Sequence, residues 1–81
     1  MNPIQLRLSE CFSRVFPALP AEQIPAANPR TVAGWDSLAA ISLVNVIEEE
    51  FNTPIDFEDM AHLDSFDAIA NYLQERVPAG G

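Results

Sequence analysis

The sequence predicts an all-α fold: a small four-helix bundle made of three main helices and one short one, with a long first loop. Three observations carry this. Apolar residues recur at three- and four-residue spacing in three separate stretches, which is the signature of one-sided helices. No stretch sustains two-residue alternation, and no Asn-Gly or Asp-Gly hairpin turn occurs. Prolines gather between the periodic stretches instead of inside them.

The first helix begins at Asn2-Pro3, an asparagine suited to the cap and a proline where a missing N–H costs nothing. Ile4, Leu8, Cys11, Phe12, Val15 and Leu19 then define one apolar face, and Pro17 should end the helix near residue 15 or 16. Residues 17–35 contain Pro17, Pro20, Pro25, Pro29 and Gly34 with no sustained period. So long a connection is uncommon in a compact domain unless it is functional or disordered. Leu19, Ile24 and Val32 are spaced to pin it to the core, with a short helical turn expected at 21–24.

The strongest helical stretch is 38–51. Leu38, Ile41, Val44, Ile47 and Phe51 are expected on its buried face, flanked by Leu43 and Val46, and Asn52-Thr53-Pro54 stops it. Asp56 and Asp59 suggest a capping arrangement for a short helix at 57–61. The last helix, 66–77, should turn Phe66, Ile69, Ala70, Leu73 and Val77 inward, with Arg76 at its negative end and Pro78 as terminator.

Composition narrows the function. Eighty-one residues make one small domain with little room for an enclosed active site, and a 48% hydrophobic content argues for a folded chain. Twelve acids face four arginines, lysine is absent, and the net charge is −8. Such a surface is unsuited to nucleic acid or anionic membranes and suits basic patches on partner proteins. Ten of the acids fall in residues 36–81, where Arg76 is the only cation, so that half is the expected docking half. Cys11 stands alone, which rules out an internal disulfide and a thiolate metal site, and its place on the apolar stripe marks it as structural. Nothing resembles a signal peptide, and no apolar run approaches the roughly 20 residues of a membrane span. A monomer in the cytoplasm, without membrane insertion, is expected.

Candidates for chemistry are few. His62 is the only histidine and lies far in sequence from either helix-start serine, so catalysis or metal binding by it has no support. The acids from Asp56 to Asp67 lack the ligand spacing and central glycine of a calcium loop. The terminal Gly80-Gly81 matches the end of ubiquitin-like sulfur carriers, but those resemble a β-grasp fold. Two Asp-Ser pairs remain, Asp36-Ser37 and Asp64-Ser65, each opening a helix. Both serines read as helix caps. Ser37 differs in context: it joins the long loop to the most apolar helix, after Gly34 and Trp35, and a phosphate on it would meet the positive end of that helix.

At this point the sequence resembles a family, the acyl and peptidyl carrier proteins. The stretches GWDSLAAISLVNVIEEEFNTPID at 34–56 and LDSFDAIANYL at 63–73 carry the resemblance, which with the opening helix covers nearly the whole chain. It implies a carrier domain over 1–78 with a tail at 79–81. It implies that Ser37, flanked by Asp36 and Leu38, receives 4′-phosphopantetheine from coenzyme A through a phosphopantetheinyl transferase that supplies the base and Mg²⁺. The chain would then be a non-enzymatic carrier, holding acyl groups as thioesters and presenting them to acyl-loading and acyl-processing enzymes with basic patches. Trp35, Leu38, Ser42, Asn45, Glu48 and Glu49 are the expected partner contacts. Fatty-acid carriers usually bear acids early on the second helix, where this chain has Ala39, Ala40, Ser42 and Asn45. A stand-alone carrier of a specialised acyl, polyketide or lipid pathway is therefore expected. Fatty-acid synthesis and aminoacyl or peptidyl carriage are the alternatives within carriers. The alternative of another class is an acidic helical adaptor that binds basic proteins and carries nothing.

Overall fold

The computed structural model describes residues 2–76. Among them the order is helix α1 (Pro3–Val15), a 3-10 helix η1 (Ala21–Ala26), helix α2 (Ser37–Phe51), a 3-10 helix η2 (Phe57–His62) and helix α3 (Phe66–Arg76), with no strand. The expected all-α architecture is the observed one. The expected roles of Val77 and Pro78, and the tail at 79–81 with Gly80-Gly81, lie outside the described residues.

At the start of α1 the Asn2 side chain accepts from the Gln5 N–H at 2.8 Å, and the Gln5 side chain accepts from the Asn2 N–H at 3.0 Å. This reciprocal box satisfies donors that a helix start otherwise leaves open. Ile4, Leu8, Cys11 and Phe12 are buried along one face, with Val15 and Leu19 packed at its edge. The long connection is ordered over the core as expected. Ile24 and Val32 are buried, joined by Ala27 and Trp35, and the expected turn at 21–24 extends through Pro25 to Ala26. The connection is also tied to α3, because the Phe66 N–H donates to the Ala27 carbonyl at 3.0 Å.

The centre of the core is aromatic. Phe12 meets Trp35 edge-on at 5.5 Å between ring centroids and Phe66 edge-on at 5.4 Å, while Phe16 lies 5.6 Å from Trp35. Edge-to-face pairs place the positive ring edge against the negative ring face and add to the burial itself. One residue of α1 thus touches the residues next to both Asp-Ser pairs.

The buried face of α2 matches the expected one only in its second half. Leu43, Ile47 and Phe51 are buried, whereas Leu38 is 76% and Ile41 46% exposed. Apolar residues encircle this helix, so their spacing does not locate its inner face; the polar residues do. Ser42, Asn45 and Glu49 mark the solvent face at helical spacing, and Leu38 and Ile41 lie one turn before Ser42 and Asn45 on that side. The helix ends as expected: Asn52 takes the left-handed conformation at φ 50° and its N–H bonds to the Glu48 carbonyl. Glu50 closes α2 onto α1, accepting from Arg7 Nε at 3.1 Å with Arg14 Nη2 at 3.7 Å.

The expected capping by Asp56 is absent: its side chain makes no cap hydrogen bond to η2. Asp59 also turns away from that helix, its carboxylate accepting from the Tyr72 hydroxyl at 3.0 Å. α3 buries Phe66, Ile69, Ala70 and Leu73, the expected residues. Arg76 in its last turn lies over the Tyr72 ring, 3.7 Å from the centroid.

Candidate functional site

The two Asp-Ser pairs fold in registers one residue apart. At α2 the cap is Asp36, whose Oδ1 accepts from the Ala39 N–H at 2.9 Å, so Ser37 is the first residue of the helix. At α3 the acceptor is the Ser65 hydroxyl, which takes the Ala68 N–H at 3.0 Å. Ser65 is a cap as expected; Ser37 is not. Buried anchors set the difference. Trp35 is held in the core just before Asp36, and Phe66 just after Ser65. Among the described residues the Ser37 hydroxyl has no hydrogen-bond partner, and Ser37 is exposed.

The backbone leading into Ser37 is fixed. Asn28 Oδ1 accepts from the Arg30 and Thr31 N–H groups, and the Val32 N–H reaches back to the Asn28 carbonyl. Gly34 then adopts φ +91°, a conformation that side chains disfavour, and its carbonyl accepts from the Asp36 N–H at 2.9 Å. Asp36 and its carbonyl satisfy Ala39 and Ala40, leaving the Ser37 and Leu38 N–H groups at the helix tip facing solvent. That tip carries partial positive charge and suits an anionic ester on the Ser37 oxygen.

A cleft of about 320 Å³ lies beside Ser37, walled by Pro29, Trp35, Ala40, Met60, Leu63 and Asp64. Along the same side of α2 a groove of about 260 Å³ runs between Ile41, Val44 and Glu48 on one bank and Phe57 and Met60 on the other. Ile41, Phe57 and Met60 were not among the expected site residues. The signal for Phe57 was present, since an aromatic flanked by Asp56 and Glu58 fits no apolar stripe; it is 83% exposed.

The expected partner contacts divide. Leu38, Ser42, Asn45 and Glu49 share the solvent face of α2. Trp35 does not join them: it is 8% exposed, packed on Phe12 and Phe16, and shows only a wall to the Ser37 cleft. Its large apolar ring gains more from the core than its indole polarity gains from solvent. Glu48 is half-buried and spends one carboxylate oxygen on the Ile55 N–H at 2.8 Å, bracing the turn after α2.

The chain's fixed thiol is poorly placed for chemistry. Cys11 is fully buried, and burial, followed by the Glu50 charge, pushes its pKa up to about 11. His62 is exposed on η2. Among the described residues no group of three His, Cys, Asp or Glu is placed to hold a metal, and no helix is long and apolar enough to cross a membrane.

Ser37 is thus an exposed serine at a capped helix start, its hydroxyl without a hydrogen-bond partner among the described residues. In a comparison with family models, residues 7–73 match the one described as the phosphopantetheine attachment site. The chain belongs to that family, whose domains are non-catalytic carriers of covalent 4′-phosphopantetheine, modified by a phosphopantetheinyl transferase and served by further enzymes. Comparison with curated proteins and with solved structures returned no match.

Proposed function

We propose that Ser37 is the attachment residue and that the chain carries acyl intermediates as thioesters for a specialised acyl, polyketide or lipid pathway. The observation that carries the assignment is the free Ser37 hydroxyl, released from capping because Asp36 does that work. When bound, 4′-phosphopantetheine supplies a thiol on a long flexible arm. The chain's own residues would hold and present it: Ser37 Oγ would be the ester oxygen, the Ser37 and Leu38 N–H groups would be available to the phosphate charge, and Asp36 keeps the helix start in register. Cys11, sealed in the core, does not compete as a thiol.

Partner enzymes are proposed to meet Leu38, Ile41, Ser42, Asn45 and Glu49, with Phe57 across the groove. This face places its acid, Glu49, about 16 Å along the helix from Leu38. Along α2 itself, contact near Ser37 is then mainly apolar; Asp36 and Asp64 beside Ser37 and Glu49 at the far end offer charge to basic groups of the partner. That pattern supports a specialised pathway over fatty-acid synthesis.

Intact mass after incubation with coenzyme A and a phosphopantetheinyl transferase tests the assignment. A gain of one arm in the unsubstituted chain and in Ser65→Ala, lost in Ser37→Ala, is expected. No gain, or a gain that persists in Ser37→Ala, overturns it.

A further inference from the structure

The arginines of this acidic chain are not used alike. Arg7 and Arg14 both reach Glu50, and Arg76 stands 3.8 Å from Asp59. Arg30 is exposed, and its guanidinium forms no hydrogen bond or ion pair among the described residues. It is also the only arginine between residues 15 and 75 of a chain without lysine. With twelve acids in the sequence, an unpaired arginine is the exception that calls for a reason.

Its place in the fold is fixed and adjoins the cleft beside Ser37. Asn28 Oδ1 accepts from the Arg30 N–H at 2.8 Å and from the Thr31 N–H at 3.2 Å, while the Asn28 N–H donates to the Thr31 hydroxyl at 3.2 Å. This turn holds the base of the Arg30 side chain. Arg30 lines a cavity of about 340 Å³ with Asn28, Pro29, Asp64 and Ser65. Pro29 and Asp64 also wall the Ser37 cleft, so the two spaces share a rim. Asp64 lines the cavity with Arg30 and yet forms no ion pair with it.

We propose that Arg30 is the counter-charge for a phosphodiester on Ser37, drawing the root of the arm over the Pro29 rim towards the long connection. The charges around the cleft favour this. Asp36 and Asp64 both line it and would repel an added anion, and the Ser37 and Leu38 N–H groups offer only partial charge against them. A guanidinium supplies a full charge and a planar fork matched to phosphate oxygens. An arm rooted on the side of the connection leaves exposed Leu38 and Ile41 open to partner enzymes. The role of Arg30 rests on Ser37 bearing the arm, which intact mass reads first.

Holo protein, shown by mass to carry one arm that Ser37→Ala loses, is compared by phosphorus NMR as the unsubstituted chain, Arg30→Gln and Arg30→Lys. The Arg30 side chain bonds to nothing in the described fold, so both variants should keep it. The phosphodiester resonance should shift in Arg30→Gln and return part of the way in Arg30→Lys, which restores the charge without the fork. The shift should shrink as salt is raised to 1 M, where screening acts within roughly 3 Å. The Arg30 Nε–H signal should move between the apo and holo forms. A phosphorus resonance unmoved in Arg30→Gln overturns the proposal. So does slower modification of that variant with the resonance unmoved, which would give Arg30 to the transferase contact instead. A chain not modified at Ser37 removes the Ser37 reading and this one together, whereas an unmoved resonance in a chain modified there removes this one alone.

Discussion

The two helix starts, Asp36-Ser37 and Asp64-Ser65, use the same two residues in opposite roles. At α2 the aspartate caps and the serine is free; at α3 the serine caps and the aspartate stands outside the helix. Local preference does not choose between these registers, because Asp and Ser cap about equally well. Phe12 chooses: its ring holds Trp35 on one side and Phe66 on the other, and each buried aromatic sets where its helix begins. A serine is left free of capping here by packing two residues away, not by its own surroundings.

Removing the shared anchor is the broadest way to break this comparison. Phe12→Ala should cost about 3–5 kcal/mol, the range for a buried aromatic, measured by denaturant unfolding. That is comparable to the whole net stability of so small a domain, and both helix starts should be lost with the core. The finer contrast is between the caps. Ser65→Ala and Asp36→Ala should each cost about 0.5–2 kcal/mol, while Ser37→Ala should stay within about 0.5 kcal/mol. A Ser37→Ala cost equal to that of Ser65→Ala would mean that the registers do not differ. Only Ser37→Ala should abolish modification, so stability and function separate at neighbouring residues.

A further effect appears only in alkali. Burial raises the Cys11 pKa from 9.0 to about 11, so the folded chain keeps this proton longer than the unfolded one. Its contribution is whole below pH 9 and is lost as pH rises towards 11. Tyr72, also shifted upward, by desolvation and by its bond to Asp59, acts in the same direction. Cys11→Ala should therefore flatten part of the alkaline loss of stability seen by urea unfolding, leaving the Tyr72 part.

Much of this was legible in the sequence, for physical reasons that also mark where legibility stops. α1 and α3 each carry one apolar stripe, so their buried residues follow from spacing alone. α2 is apolar nearly all round: Ile47 and Phe51 of the expected stripe are buried, whereas Leu38 and Ile41 lie on the solvent side. The polar trio Ser42, Asn45 and Glu49 held the better signal. Trp35 was misplaced because its burial depends on Phe12 and Phe16, more than eighteen residues earlier in the chain. Glu48 and Glu49 were both expected as partner contacts, yet Glu48 braces a turn and the neighbouring Glu50 clamps Arg7, which leaves Glu49 as the exposed member of the run. Distant partners decided each of these, and no local pattern encodes them.

Trp35 also gives the protein an intrinsic optical reporter. It is the only tryptophan, it is buried against two phenylalanine rings, and one side of it walls the cleft beside Ser37. Its emission should therefore respond to loss of the core through a red shift, and to material entering that cleft through quenching, without an added label. Loading and unfolding become two readings of one chromophore.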